Sequence, residues 1–194
     1  HWNEDYLVED LPVVDGLVQR DVSRKITKWA VIDRYRGDGA VASMFWTGCG
    51  PVDDETALAC SVAHDSHNLW AVGSSDAAMA MAINHLSDIQ GGWALVHRGK
   101  LVADVSLEIA GLMTARPAAD FDAEMQAFYK AAAAVEWMYE PSALNLWKPG
   151  FPEFLKFATL TCSPWRWVLV APSKLAPEGF VNVQTGETHK VVWA

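Results

Sequence analysis

Six consecutive residues, Ala63-His64-Asp65-Ser66-His67-Asn68, hold most of the chemistry this chain can offer. Every side chain after the alanine donates or accepts a hydrogen bond. Two are imidazoles, the groups that most readily bind a metal or move a proton near neutral pH. The run lies between two short apolar segments, Ala57-Leu58-Ala59-Cys60-Ser61-Val62 and Leu69-Trp70-Ala71-Val72, and each reads as a buried strand. Polar groups held between buried strands need partners, because an unpaired one is costly. The knot is therefore either a satisfied internal network or a site. As a site, His64 and His67 are the metal-ligand candidates, and Asp65 is a third ligand or the group that orients an imidazole. The His64-x-x-His67 spacing would share one helix face. Strands flank it here, so a turn is expected and the geometry stays open. His64, Asp65, His67 and Asn68 are expected to converge in one pocket, with at least one imidazole hydrogen-bonded to a carboxylate or a backbone carbonyl.

The other reactive groups are scattered. His85 falls on a helix and His97 at a hairpin turn, both expected to be exposed, and His189 lies near the C-terminus. Ser61 and Ser66 stand close to His64, but no Gly-x-Ser-x-Gly elbow surrounds either, which disfavours a serine hydrolase. Gly48-Cys49-Gly50 is too short for a phosphate-binding loop. Cys49, Cys60 and Cys162 form no Cys-x-x-Cys pair, and so sparse a set points to the reducing cytoplasm. The 15 basic against 24 acidic side chains give a net charge of −9, which argues against nonspecific binding to nucleic acid or an anionic membrane. No apolar run is long enough to cross a bilayer, and no secretory signal pattern opens the sequence.

The 194 residues suit a single domain, in which residues 1–24 are a possible lead-in from a preceding domain. Tyr6 to Pro12 looks strand-like, and Val14-Asp15-Gly16 reads as a turn. Strands are expected over Ile26–Ile32 and Val41–Trp46, with Thr47 to Pro51 breaking the second and Asp53-Asp54-Glu55 as a solvated loop. Ser75 or Asp76 can cap a helix running to about Ile89, stopped by Gly91-Gly92. Trp93–His97 and Leu101–Val105 form a hairpin around Arg98-Gly99. Ile109 to Thr114 is expected to pack closely, and a second helix to cover Asp120 to Met138. Prolines 141, 149 and 152 break the next stretch into loop, before strand-like segments over 154–162 and 165–170, a loop over 174–183 and a last short strand. The expected fold class is α+β: a mixed β-sheet with hairpins and two principal helices. Ten tryptophans fill a core or, in part, form an apolar face toward another subunit or domain, so an oligomer is expected.

The string from Ala57 to Asn68 resembles the C-terminal domain of adenine deaminase, as do Val72 to Met79, Ile89-Gln90-Gly91-Gly92 and Ile109-Ala110-Gly111-Leu112-Met113. Lys174-Leu175 with Gly179 to Val183 resembles that family's closing segment more loosely. The sequence departs at Asp53-Asp54-Glu55-Thr56, where the family has a basic, glycine-containing turn, and at Glu108, where it has proline. The resemblance implies a metal-dependent amidohydrolase that converts adenine and water to hypoxanthine and ammonia. It implies a divalent metal (manganese, iron or zinc) bound mainly by a separate barrel domain or subunit, and a purine-like small-molecule substrate. The chain has no His-x-His and is too short for that barrel, so on this reading it is inactive alone. His64, Asp65, His67 and Asn68 match the family string and are its substrate-binding or bracing candidates. The alternative is a noncatalytic small-molecule or metal-binding accessory module.

Overall fold

A computed structural model describes residues 9–37, 39–47, 49–63, 67–139, 167–169, 180–182, 185 and 188–189. Strands β1 (Val13–Val14) and β2 (Leu17–Val18) form a small hairpin across Asp15 and Gly16, both at positive φ, the geometry of a primed two-residue turn. Of the opening strand expected over Tyr6 to Pro12, residues 9–12 carry no strand and residues 6–8 lie outside the described residues.

Strands β3 (Ile26–Ile32), β4 (Val41–Thr47), β5 (Cys49–Pro51), β6 (Ala57–Cys60) and β7 (Leu69–Gly73) precede helix α1 (Asp76–Asp88). The hairpin of β8 (Gly92–His97) and β9 (Lys100–Ser106) follows, then helix α2 (Ala118–Ala133) and β10 (Trp137–Tyr139). The main sheet has the order β4-β3-β7-β6-β8-β9, and every neighbouring pair is antiparallel. Because β7 and β8 both run opposite to the β6 between them, they are parallel to each other, and α1 is the crossover that joins them. A separate three-stranded sheet holds β11 (Trp167–Leu169), β12 (Phe180–Asn182) and β13 (Thr188–His189). The expected strand over 154–162 and the prolines at 141, 149 and 152 lie outside the described residues. Where a loop was expected over 174–183, its described end is β12.

The two-residue alternation of the central strands sorts side chains by size. Ala57, Ala59, Ala71 and Ala94 floor one face, where Met79, Ala82 and Leu86 of α1 pack down. A floor of methyl groups lets the helix lie close: a Cβ on Gly73 would stand 2.4 Å from Met79 Cγ. Leu58, Trp70, Val72, Trp93 and Leu95 fill the other face against Met125, Phe128 and Ala132 of α2. Trp29 and Trp70 stack there, with ring centroids 5.6 Å apart. Trp46 and Trp137 pack against the same cluster, so the described tryptophan side chains serve the core rather than an exposed aromatic face.

Helix α1 begins as expected, with Ser75 Oγ accepting from the Ala78 N–H. Its C-terminus differs in detail. Gly91 N donates to Leu86 O and Gln90 N to Ser87 O, a Schellman closure in which Gln90, not a glycine, takes the left-handed position at φ 65°. Helix α2 runs from Ala118 to Ala133, short of the expected Met138. The Trp137 indole N–H donates to the freed Ala132 carbonyl, and Trp137 to Tyr139 leave to pair with β5, the stretch expected to be a break. That pairing joins Met138 to Gly50, whose Cβ position is blocked by Thr27 Cγ2 at 2.4 Å.

Candidate functional site

One rim of the main sheet collects the ends of β3, β6 and β9 and the starts of β4, β7 and β8. Four loops meet there: 33–40, 61–68, 89–91 and 107–117. Three of the segments that carry the family resemblance belong to them. Val72 to Met79 starts from the opposite end of β7, and of the looser closing match only 180–182 is described.

Ser61 joins these loops. It is fully buried; its Oγ donates to Gly111 O (2.5 Å) and accepts from Gly92 N (2.7 Å), while its own N–H donates to Gly92 O (3.0 Å). Gly91 O takes the Leu107 N–H at 2.9 Å. The glycines are needed for contact, not for turning alone. A Cβ on Gly91 would lie 2.5 Å from Gly111 Cα, and one on Gly92 would lie 1.8 Å from Val105 O. Gly111 is thus the buried point of the 109–114 segment. Ile109 and Met113 beside it are exposed, contrary to the expectation that the whole segment is packed.

Arg34 closes the joint from β3. Its Nη2 donates to Ala110 O (2.5 Å), and its guanidinium lies over the Tyr35 ring at 5.4 Å. Asp33 Oδ1 accepts from the N–H groups of Tyr35 (2.7 Å) and Arg36 (3.1 Å), and these bonds hold its carboxyl below the usual carboxylate range. Neither Arg34 nor Tyr35 stands out in the sequence. The bond from Arg34 to Ala110 spans 76 positions, and no local pattern announces it.

The described ends of the polar knot, Ala63 and His67 with Asn68, adjoin this floor. Ala63 is fully buried, and its carbonyl accepts the His67 N–H at 2.9 Å, closing the turn expected from the flanking strands. His67 is exposed with left-handed backbone at φ 51°, and its carbonyl accepts from Tyr35 Oη at 3.4 Å. Asn68 is half-buried. The Trp70 indole N–H donates to Val62 O, so the core tryptophan fixes the strand leading into the knot. His64, Asp65 and Ser66 lie outside the described residues. Cys60, just below, is fully buried, and burial pushes its thiol above the usual range, which makes it an inert core group.

His85 and His97 are half-buried and paired rather than exposed. His97 Nε2 lies 2.9 Å from Asp53 Oδ2, and Arg98 donates to Asp53 Oδ1 at 2.9 Å. The Arg98 and His97 bonds lower the Asp53 carboxyl, so this acid belongs to a half-buried cluster rather than a solvated loop. His85 Nε2 lies 3.0 Å from Asp104 Oδ2, across from α1 to β9. Glu108 shapes the rim: it accepts from Thr114 Oγ1 (2.8 Å) and Ala115 N (2.9 Å), and these bonds lower its carboxyl.

Among the described residues, no group of three or more His, Cys, Asp or Glu side chains is placed to hold a metal ion. Of the proposed ligand pair only His67 is described, and Tyr35, its neighbour, is not a usual donor to a divalent ion. The described residues thus supply one of the two proposed ligands, His67. No helix among the described residues is long and apolar enough to cross a membrane.

Residues 4–146 match the family model described as adenine deaminase C-terminal domain. All of this chain aligns, at 64% identity over 193 residues, with 31% of adenine deaminase 2 from Jannaschia sp. (strain CCS1). It aligns equally completely, at 62% identity, with 31% of adenine deaminase 2 from Bradyrhizobium diazoefficiens. A more distant match, at 41% identity over 129 residues, covers 66% of this chain and 21% of the adenine deaminase of Moorella thermoacetica. The chain therefore spans less than a third of the length of these curated relatives.

Proposed function

The chain belongs to the adenine deaminase C-terminal domain family, and from that membership we propose that it works as the C-terminal domain of an adenine deaminase-like amidohydrolase in purine metabolism. The reaction is hydrolytic: water adds at the ring carbon bearing the exocyclic amine, ammonia leaves, and adenine becomes hypoxanthine. A divalent metal such as manganese, iron or zinc supplies the activated water when bound. On this reading its ligands belong mainly to the rest of the longer polypeptide, an amidohydrolase barrel linked to this domain. The observation that carries the reading is full-length alignment of this chain with under a third of each of two adenine deaminases.

Within that enzyme the chain's own residues position rather than react. The Ser61–Gly92–Gly111 joint and Arg34 fix the loops under the knot. His64, Asp65, His67 and Asn68 are then the side chains offered toward a purine-sized substrate or toward the groups that bind it. A cytoplasmic setting suits a chain whose described Cys60 is a buried free thiol.

Hypoxanthine release by the purified 194-residue chain, with manganese, iron or zinc added, tests this directly. The expected result is no turnover from the chain alone and turnover from the longer polypeptide that carries it. Robust metal-dependent deamination by the isolated chain would overturn the reading.

A further inference from the structure

We infer that the loop rim carrying Tyr35, His67, Ile109 and Met113 is the face on which the rest of the longer deaminase polypeptide seats. This rests on the C-terminal-domain reading and adds to it which surface of the domain meets the catalytic part.

Three observations converge. Tyr35, Ile109 and Met113 are 62%, 41% and 58% exposed, an apolar set on loops linked to His67 through Tyr35 and to each other through Arg34 and Ala110. They are not loose. Ile109 and Met113 bridge each other, Arg34 ties the intervening Ala110, and the Tyr35 N–H is held by Asp33. A surface already ordered loses little entropy when a partner covers it. Finally, two of the rim's described cations are met within the chain: Arg36 by Asp33 at 2.7 Å, and Arg116 by Glu124 and Glu108. What the described side chains leave for a partner is apolar surface with a polar surround, the make-up of an interface core.

The occupant follows from length. The relatives that contain this domain devote more than two thirds of their chains to something else. Contacts between domains of one chain bury about 600–1,500 Å², more than three side chains supply, so loops 33–36 and 107–114 must be covered with them. Among the described residues two other exposed apolar sets compete: Val13, Val14 and Leu17 on the β1–β2 hairpin, and Leu101 with Val102 on the edge strand β9. Neither adjoins the polar knot, which a site shared with the catalytic part requires.

Methionine oxidation in the full-length polypeptide provides the test, because Met81 on α1 is also exposed, at 42%, and reports that the oxidant works. Peroxide oxidation of Met113 is expected to be slowed at least about tenfold relative to the urea-unfolded protein, with Met81 reacting freely. Met113→Glu in the same polypeptide should lower kcat/KM for adenine by about tenfold or more, the loss expected of an interface anchor, whereas Met81→Glu stays near wild type. Unhindered Met113 oxidation, or full activity of Met113→Glu, overturns the docking face while leaving the deaminase reading intact. Failure of the unaltered polypeptide to deaminate adenine with any of the three metals overturns the reading, and this inference with it.

Discussion

Replacing Ser61 by alanine should destabilise the chain far more than the loss of one exposed hydroxyl would. The side chain is fully buried, and its oxygen serves two main-chain groups of buried residues, donating to Gly111 O at 2.5 Å and accepting from Gly92 N at 2.7 Å. Alanine fits the space but leaves both groups unpaired. Each net hydrogen bond contributes about 1 kcal/mol, and a buried group left unsatisfied costs about 1–3 kcal/mol. The glycine contacts around it are too tight for the loops to close in and restore the bonds. The expected loss is therefore about 3 kcal/mol. With a urea slope of about 2 kcal/mol per molar, the midpoint falls by about 1.5 M at unchanged slope. The melting temperature falls by about 6–12 °C for a domain of this size. Hydrogen exchange should place the damage, with the Gly92 amide losing protection first. Ser87→Ala, on the exposed face of α1, is the control and should shift stability by no more than about 0.5 kcal/mol. A Ser61→Ala loss below about 1 kcal/mol, or an unchanged Gly92 amide, would refute the idea that this hydroxyl is the joint of the rim.

Gly92→Ala should be worse than Ser61→Ala, by more than about 4 kcal/mol, because φ is +128° and the new Cβ would sit 1.8 Å from Val105 O; failure to recover folded protein, or a large loss of urea midpoint, is the expected readout. Asp53→Asn should flatten the acid limb of the stability profile. Its native carboxyl is held low by Arg98 and His97, so its contribution is complete above the unfolded value of about 3.9 and is lost as pH falls through the native one; identical acid limbs in urea titrations of the two proteins would show the cluster to be passive. His67→Ala should change stability by less than about 1 kcal/mol, since the ring is exposed, yet reduce adenine turnover of the full-length polypeptide; a larger stability loss with turnover preserved would make the histidine structural.

Much of the sheet is legible in the sequence because its signals are local. The alternation of alanine with leucine, tryptophan and valine marks both faces of β6, β7 and β8, and Arg98-Gly99 marks the β8–β9 turn. Ser75 announces α1 for the same reason: a cap acts within one turn. What escapes is set by distant partners. Nothing near Cys49 to Pro51 foretells β10. The alanine run of α2 promises a longer helix than the pairing of Trp137 allows. His97 looks exposed at a turn until Asp53, 44 positions away, is placed beside it. The candidate site divides similarly. The knot is visible as a string of polar types, but its support is not. Ser61 reads as an ordinary serine, and its acceptor lies 50 residues on. Gly91 and Gly92 read as a helix stop, whereas Gln90 makes the stop and the glycines make room.

That division of labour bears on how the two ends of the sheet should respond to solution conditions. Beneath the knot the innermost bonds are buried and run from a neutral hydroxyl to the main chain, Ser61 to Gly92 and Gly111, whereas the charged bonds of Arg34, Asp33 and Glu108 lie toward the surface. Bonds between neutral groups out of solvent are little altered by salt or by pH between the carboxylate and amine ranges. The opposite end relies on charge. Arg20 meets Asp54, Lys28 meets Asp76, and Asp53 meets both His97 and Arg98. Salt or acid should therefore loosen hydrogen-exchange protection around Thr56 and Gly99 before it reaches Gly92, because Gly99 N and Thr56 N are held in loops anchored by those acids or beside them. On the docking inferred above, that order of weakness keeps the end that sets the geometry of the proposed site the last to yield.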